Sequence, residues 1–451
     1  MGYNRGNCKA NLLSKESFRE KTVENINKLI TNEAFNCRSK DGLTGVFTRD
    51  RKLNFKNTLL FIARGVTSSL QRELDGFFKE VADSDFNVRE VTKSAFSQAR
   101  KKLKHNAFIE LNDVVTNTFY NDAPYKVWKN MRLLAVDGTR LMLPNHPSTK
   151  EEFGQHSFGP KANSKRTMAL ASCLYDPLNL LSLDAQIASF ASSERDLLYK
   201  HLDKTKQGDL ILLDRGYPSL ALIFLLRAKK LNFCMRMKAN SWTCVKKFTE
   251  SDKTNEIVEF SLPIKDREKL INHPEIINQK LKCRLTKVKL ISGETEILCT
   301  SLMDQGEYTD DDLSELYHCR WSEEEGFKLL KARIEVENFS GKTATAVKQD
   351  FFAKIFLMSF SASLAFPIEQ KVRKEYQKDN NKKYDQKINR TGAISNLRLL
   401  YVNLFIKKLV KKSISVYDDI VSQTREIIRP NRSQPRKHRI KSSYCMNYKR
   451  L

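Results

Sequence analysis

The sequence predicts an α/β protein, a mixed sheet preceded by a helical region and followed by further helices and a basic tail. Three observations carry this. The apolar period is 3.6 up to about residue 122 and changes to 2 after Pro124. Two short, wholly apolar segments, residues 133–136 and 210–213, each run straight into an aspartate, as buried strands with open tips do. A chain of 451 residues, 40% of them hydrophobic, can bury a sizeable core and make several domains.

Taken in order, residues 1–125 read as helical, with apolar runs at 55–78 and 92–103. In the second run Thr92 can cap a helix whose apolar face is Ala95, Phe96, Ala99 and Leu103, leaving Lys93, Arg100 and Lys101 outward. A helix lying against a phosphate backbone would show this pattern, and so would a plain basic surface helix. Residues 126–240 carry strands at 132–136, 167–175 and 181–189, a helix from Ser193 to about 204 and a strand at 210–213. A helix at 220–230 and a strand at 232–238 complete this part. Residues 241–305, with short strands at 257–262, 281–290 and 295–303, look like an inserted β subdomain before the sheet region resumes at 306–370. The apolar stretch 351–368 contains Lys354 and three serines and reads as a buried helix rather than a membrane span. Residues 371–451 form a basic helical region, with an amphipathic helix around 394–410 and a polycationic tail free of acidic residues after Glu426.

Seventy-nine Lys and Arg against fifty-three Asp and Glu leave a net charge of +26, which makes a polyanion the expected partner, nucleic acid first. Nine cysteines without a CxxC pair argue for a reducing compartment and against a disulfide framework or zinc. No apolar run near the amino terminus is long enough for a signal peptide, so a cytoplasmic protein without membrane contact is expected. No glycine-rich phosphate loop is present, so no nucleotide cofactor is expected.

Read as a helix, residues 317–331 place Tyr317, Arg320, Glu324 and Lys331 at roughly 0°, −60°, −20° and −40°, on one stripe beside an apolar face. A solvated charged helix would look the same. Asp137 and Asp214, at the ends of apolar strands, are the two carboxylates that could join Glu324. Hard oxygen ligands of this kind suit magnesium or manganese, and a pair of ions about 3.5–4 Å apart can activate water for phosphodiester cleavage. Singly, each aspartate would serve as well for a turn or a cap.

With these residues assembled, the chain resembles the DDE transposases of bacterial cut-and-paste insertion sequences, over most of residues 55–370. The segments Leu133-Leu134-Ala135-Val136-Asp137-Gly138-Thr139 and Leu210-Ile211-Leu212-Leu213-Asp214-Arg215-Gly216-Tyr217 carry two of the motifs. The Tyr-x2-Arg-x3-Glu-x6-Lys signature, matched by Tyr317, Arg320, Glu324 and Lys331, is the third and most specific.

The resemblance implies an RNase H-like mixed sheet with an inserted β-rich subdomain and a helical end-binding domain at residues 1–125. It implies that Asp137, Asp214 and Glu324 bind two catalytic Mg2+ ions, with Mn2+ able to substitute. Tyr317, Arg320 and Lys331 would hold DNA phosphates near the scissile bond. It further implies double-stranded DNA partners, namely inverted-repeat ends and target DNA, and a homodimer in a synaptic complex on bacterial nucleoid DNA. Relatives stack a flipped base on a tryptophan of the insert, and Trp242 is the only tryptophan there. Arg215, Arg236 and Lys238 are further candidate backbone contacts, with a surface pair as the plain alternative. The function expected is DNA cleavage and strand transfer. A transposase-derived DNA-binding protein without activity, or a nuclease without strand transfer, are the alternatives.

Overall fold

The computed structural model describes residues 17–40, 45–49, 51–158, 164–289, 294–320, 331, 334–377 and 384–428. Helices α1 (Ser17–Thr31), α2 (Glu33–Arg38), α3 (Phe55–Ala63), α4 (Leu70–Ala82), α5 (Lys93–Arg100) and α6 (Asn106–Asp122) come first. The apolar run at 55–78 divides into α3 and α4 at Gly65, whose φ of 77° suits a residue without Cβ. Thr92 caps α5, its Oγ1 accepting from the Ala95 N–H at 3.2 Å.

Apart from a two-stranded pair of Gln386–Ile388 with Arg425–Ile427, nine strands among the described residues form one mixed sheet. Its members are β1 (Leu133–Met142), β2 (Gln155–Phe158), β3 (Ser164–Asp176), β4 (Leu181–Ser189), β5 (Leu210–Leu213), β6 (Asn232–Met237), β7 (Asn255–Ser261), β8 (Lys280–Lys289) and β9 (Thr295–Thr300). They lie in the order β2-β3-β1-β5-β6-β9-β8-β7, with β4 also paired to β3. The centre, β1-β5-β6, is parallel, and β3 and β9 flank it antiparallel. Helices α7 (Pro147–Phe153), α8 (Glu194–His201), α9 (Leu220–Ala228) and α10 (Thr243–Glu250) connect strands, and α12 (Asp310–His318) follows β9, with the short α11 (Pro274–Ile277) between β7 and β8.

In residues 241–305, expected as an inserted β subdomain, β7, β8 and β9 continue the main sheet. Pairing of β9 with β6 covers a backbone edge that would otherwise stay unbonded. One sequence expectation changes here: the first strand does not stop at Val136. Thirteen-residue β3 gives it an antiparallel partner as far as Met142, so Asp137 lies within β1 rather than at its end.

The helical region shares one core with the carboxyl-terminal helices Ala344–Gln377, Arg390–Phe405 and Val410–Gln423. Phe61, Phe77, Phe96 and Phe108 pack with Phe351, Phe356, Phe360, Tyr401 and Tyr417. The helix Ala344–Gln377 runs through Pro367 and contains the stretch expected to be a buried helix. By length and composition it could cross a membrane, but 89% of its apolar window is buried inside the protein. Lys354 within it gives its ammonium group to the carbonyls of Glu335 and Asn338, each at 2.9 Å, which is how a core can hold a lysine.

Candidate active site

The parallel ladder between β1 and β5 ends at the pair Val136 and Leu213. One residue further along each strand stand Asp137 and Asp214, so two aspartates far apart in sequence become neighbours by register alone. The geometry has an evident cause: apolar side chains on both strands are buried on both faces, and the first polar residue of each emerges where the ladder opens. Below them the backbone is pinned. Ser172 of β3 donates its hydroxyl to the Asp137 carbonyl at 3.1 Å, and the fully buried His201 ring bridges Ser172 Oγ at 3.0 Å and Asp184 Oδ2 at 2.7 Å.

A third carboxylate joins them. Glu194, the first residue of α8, lies directly over Gly138: a Cβ placed there would meet the Glu194 Cγ and Cδ at 2.8 Å. The absence of a side chain at 138 therefore admits Glu194 to the site. Burial raises the Glu194 carboxyl, Arg140 opposes that rise, and Asp214 adds to it. Burial likewise pushes Asp137 up to about 6, with the charges of Glu194 and Asp214 reinforcing it and the Gly138 N–H, at 2.8 Å, and Arg320 opposing it. Desolvated carboxylates crowded against one another are a donor set that a divalent cation would relieve. Among the described residues no three His, Cys, Asp or Glu side chains converge as a metal shell, and Glu324, the expected third ligand, lies outside the described residues.

The signature residues reach this point from different directions. Helix α12 begins with a capping box between Thr309 and Asp312 and ends at His318, so Arg320 stands in the turn beyond it rather than on a helix continuing from Tyr317. Tyr317 is 2% exposed, and its hydroxyl donates to Asp214 Oδ1 at 3.3 Å. Arg320 is 3% exposed, with its guanidinium 5.6 Å from the centre of the Tyr317 ring. Lys331 donates from Nζ to the carbonyl of Arg140 at 2.9 Å, and Glu337 accepts from the Met142 N–H at 2.8 Å. These two side chains occupy the edge of β1 that β5 leaves uncovered. The bonds show what each residue touches in the protein alone: Tyr317 and Arg320 bear on the carboxylates, and Lys331 on the strand that carries one of them.

The other expected DNA contacts divide by burial. Lys93, Lys101, Arg215 and Lys238 are exposed. Arg100 is not outward as its helical angle suggested. It is 5% exposed, ion-paired to Asp350 at 2.8 Å, and bonded to Gln349 and Ser340, because the helix Ala344–Gln377 covers that side of α5. Arg236 is paired with Glu296 on the neighbouring β9 at 2.6 Å, and Lys238 falls just past the end of β6. Trp242 stands before α10 with its ring 5.1 Å from that of Phe260, edge to face, packed against the core. Sequence reasoning missed Glu194 and Glu296. The signal for Glu194 was the glycine after each aspartate motif, Gly138 and Gly216, whose built Cβ atoms both approach it.

The family described as the transposase DDE domain matches residues 128–360, just over half of the chain. The transposase InsG of insertion sequence element IS4 from Escherichia coli (strain K12) is 24% identical over 250 residues, 54% of this chain and 54% of that protein. The chain thus matches about half the length of this curated relative. A piggyBac transposase synaptic complex with hairpin DNA, solved by cryo-EM, superposes with a TM-score of 0.42 at 12% identity, over 89% of this chain and 84% of that one. With both aspartates, the glycine that follows Asp137, and the whole of the signature inside the matched region, the chain belongs to the DDE transposases of insertion sequences.

Proposed function

We propose that this protein binds the inverted-repeat ends of its own element, cuts the DNA by hydrolysis and joins the freed 3′ ends to target DNA. The observation that carries the reading is the register that sets Asp137 beside Asp214 at the open end of the β1–β5 ladder, with Tyr317 bonded to Asp214. Asp137, Asp214 and Glu324 would hold two divalent cations, Mg2+ with Mn2+ able to substitute, which supply a polarised water and neutralise the leaving 3′ oxygen. The parallel centre flanked by antiparallel strands supports an RNase H-like layout.

The protein's own groups act around that centre. The Tyr317 hydroxyl fixes the orientation of Asp214. Arg320, buried and charged, offsets the Asp137 carboxylate and is placed to meet a phosphate entering the pocket. Lys331, anchored on β1, adds a point charge beside it. The charge of +26, concentrated in the tail and in exposed lysines such as Lys93 and Lys101, supports binding along DNA; two protomers would synapse two ends on nucleoid DNA.

Purified protein with Mg2+ and a DNA fragment carrying the element's end tests this. Cleavage at the end, lost in Asp214→Asn, and joining of pre-cut ends to a target plasmid are expected. Hydrolysis without any joined product would instead indicate a nuclease, and end binding without cleavage in either metal would indicate a binding protein.

A further inference from the structure

Helix α8 bears on the sheet at both of its ends. Glu194 and His201, its first and last residues, are about two turns apart and share one face of the helix. Glu194 covers Gly138 of β1, while His201 covers Ser172 of β3, the residue that pairs with Gly138 across the ladder. One helix face thus meets the strand that carries Asp137 and the strand beside it.

The hydrogen bonds at His201 fix where its protons are. Ser172 has a single hydroxyl proton, and it goes to the Asp137 carbonyl at 3.1 Å. The Ser172 oxygen can then only accept from the ring nitrogen 3.0 Å away, so Nε2 of His201 carries a proton. On the other side Asp184 Oδ2 accepts from the Gln186 side-chain amide at 2.8 Å and faces Nδ1 at 2.7 Å. A carboxylate oxygen has no proton to give, so Nδ1 carries one as well. A ring protonated on both nitrogens is an imidazolium, and this one is fully buried with Asp184 as its counter-charge.

Stability does not call for such a pair. Well-packed apolar residues of the same volume would serve the core as well, because the attraction of two buried charges hardly exceeds the cost of taking them out of water. A fully bonded buried group does supply a fixed geometry. Here that geometry is passed to one atom of the site, the backbone oxygen of Asp137, just past Val136, where β5 no longer pairs with the strand. Carboxylates that share cations need their positions held to within about 0.5 Å.

We propose that His201 is a positioning residue of the cleavage site: as a buried imidazolium held by Asp184, it sets the Asp137 backbone through Ser172, and so the affinity of the carboxylates for divalent cations. This rests on Asp137 and Asp214 holding those cations, as set out under Proposed function.

The first measurement needs no metal. In nitrogen-15 spectra of full-length protein with labelled histidine, the ring that disappears in His201→Gln should carry a proton on both nitrogens at neutral pH. The second uses Ser172→Ala, which leaves His201 paired with Asp184 and cuts only the link to Asp137. Bound to pre-cut end DNA, this variant should lose roughly tenfold in Mn2+ affinity, read from the free-ion EPR signal. Its melting midpoint and end affinity should stay near those of the wild type, and Ser172→Thr, which keeps the hydroxyl, should recover most of the metal affinity. A merely structural role would lower the midpoint and leave the Mn2+ affinity of the folded protein alone. A neutral His201 ring in the wild-type protein overturns the proposal, as does an unchanged Mn2+ affinity in Ser172→Ala. Mn2+ binding that survives in both Asp137→Asn and Asp214→Asn would instead count against the reading of the carboxylates, from which the ring spectrum stands apart.

Discussion

In the helical body, Glu73 lies between Arg64 and Arg398, and Asp350 is held by Arg100; at the open end of the sheet, Asp137 faces Asp214 and Glu194, with Arg320 as an opposing charge. The first set is buried and the second half-buried, and burial by itself disfavours the ionised form in each. The outcomes differ in sign. Arg398 and Arg64, with the N–H groups of Thr67 and Ser68, outweigh burial and pull Glu73 down to about 2. At the site, neighbouring carboxylates add to burial, and Asp137 rises to about 6. One region uses its carboxylates to join distant helices. The other keeps like charges together at a cost in stability, which is the mark of groups assembled for a ligand.

The contrast can be broken at its strongest point first. Asp137→Asn or Asp214→Asn should reduce end cleavage by on the order of a thousandfold or more, while the thermal midpoint holds or rises because a repulsion is removed. A cleavage assay beside a melting curve checks both, and a lower midpoint would contradict the account of crowded charges. In the helical body the reverse is expected. Arg100→Ala leaves Asp350 buried without its partner and should cost about 3–5 kcal/mol in urea unfolding, with metal-dependent cleavage by the folded fraction retained.

A pH series separates the two regions next. Because Glu73 is ionised in the fold at pH values where the unfolded chain would take up a proton, its contribution is complete above about 4.5 and disappears as the pH falls toward 2. Acid unfolding should therefore lose on the order of 2 kcal/mol of stability across that window, and Glu73→Gln should flatten the slope there. The smallest effect is expected from Tyr317→Phe, which removes one hydroxyl from Asp214. A loss of about 1 kcal/mol, read as a roughly fivefold slower cleavage with an unchanged melting midpoint, would place Tyr317 as an orienting group.

Much of the site was legible because its residues sit at the ends of apolar runs. Residues 133–136 and 210–213 have no periodicity to hide the aspartates that follow them, and their β-sheet partners are dictated by burial on both faces. Arg100 was misread for the opposite reason. Its helical angle places it beside an outward face, and only the helix Ala344–Gln377, about 250 positions away in the chain, converts that face into an interface. Glu194 was missed because its place in the site depends on the missing side chain of Gly138 on β1, and a glycine marks an open space without naming what fills it. In residues 241–305, alternation likewise marks β7, β8 and β9 as strands but says nothing of which edge they join.

The sequence by itself determined the family, through two motifs and a signature, and the succession of helices and strands, through local period and capping, and its charge of +26 supports the polyanionic partner proposed. Only the tertiary structure decided that the two ends of the chain share one helical core, that β9 closes the sheet on β6, and that Glu194 stands with Asp137 and Asp214. The physical reason is range. Period, capping and charge act between residues a few positions apart, whereas burial and the pairing of strand edges are settled among groups that meet only when the chain has folded.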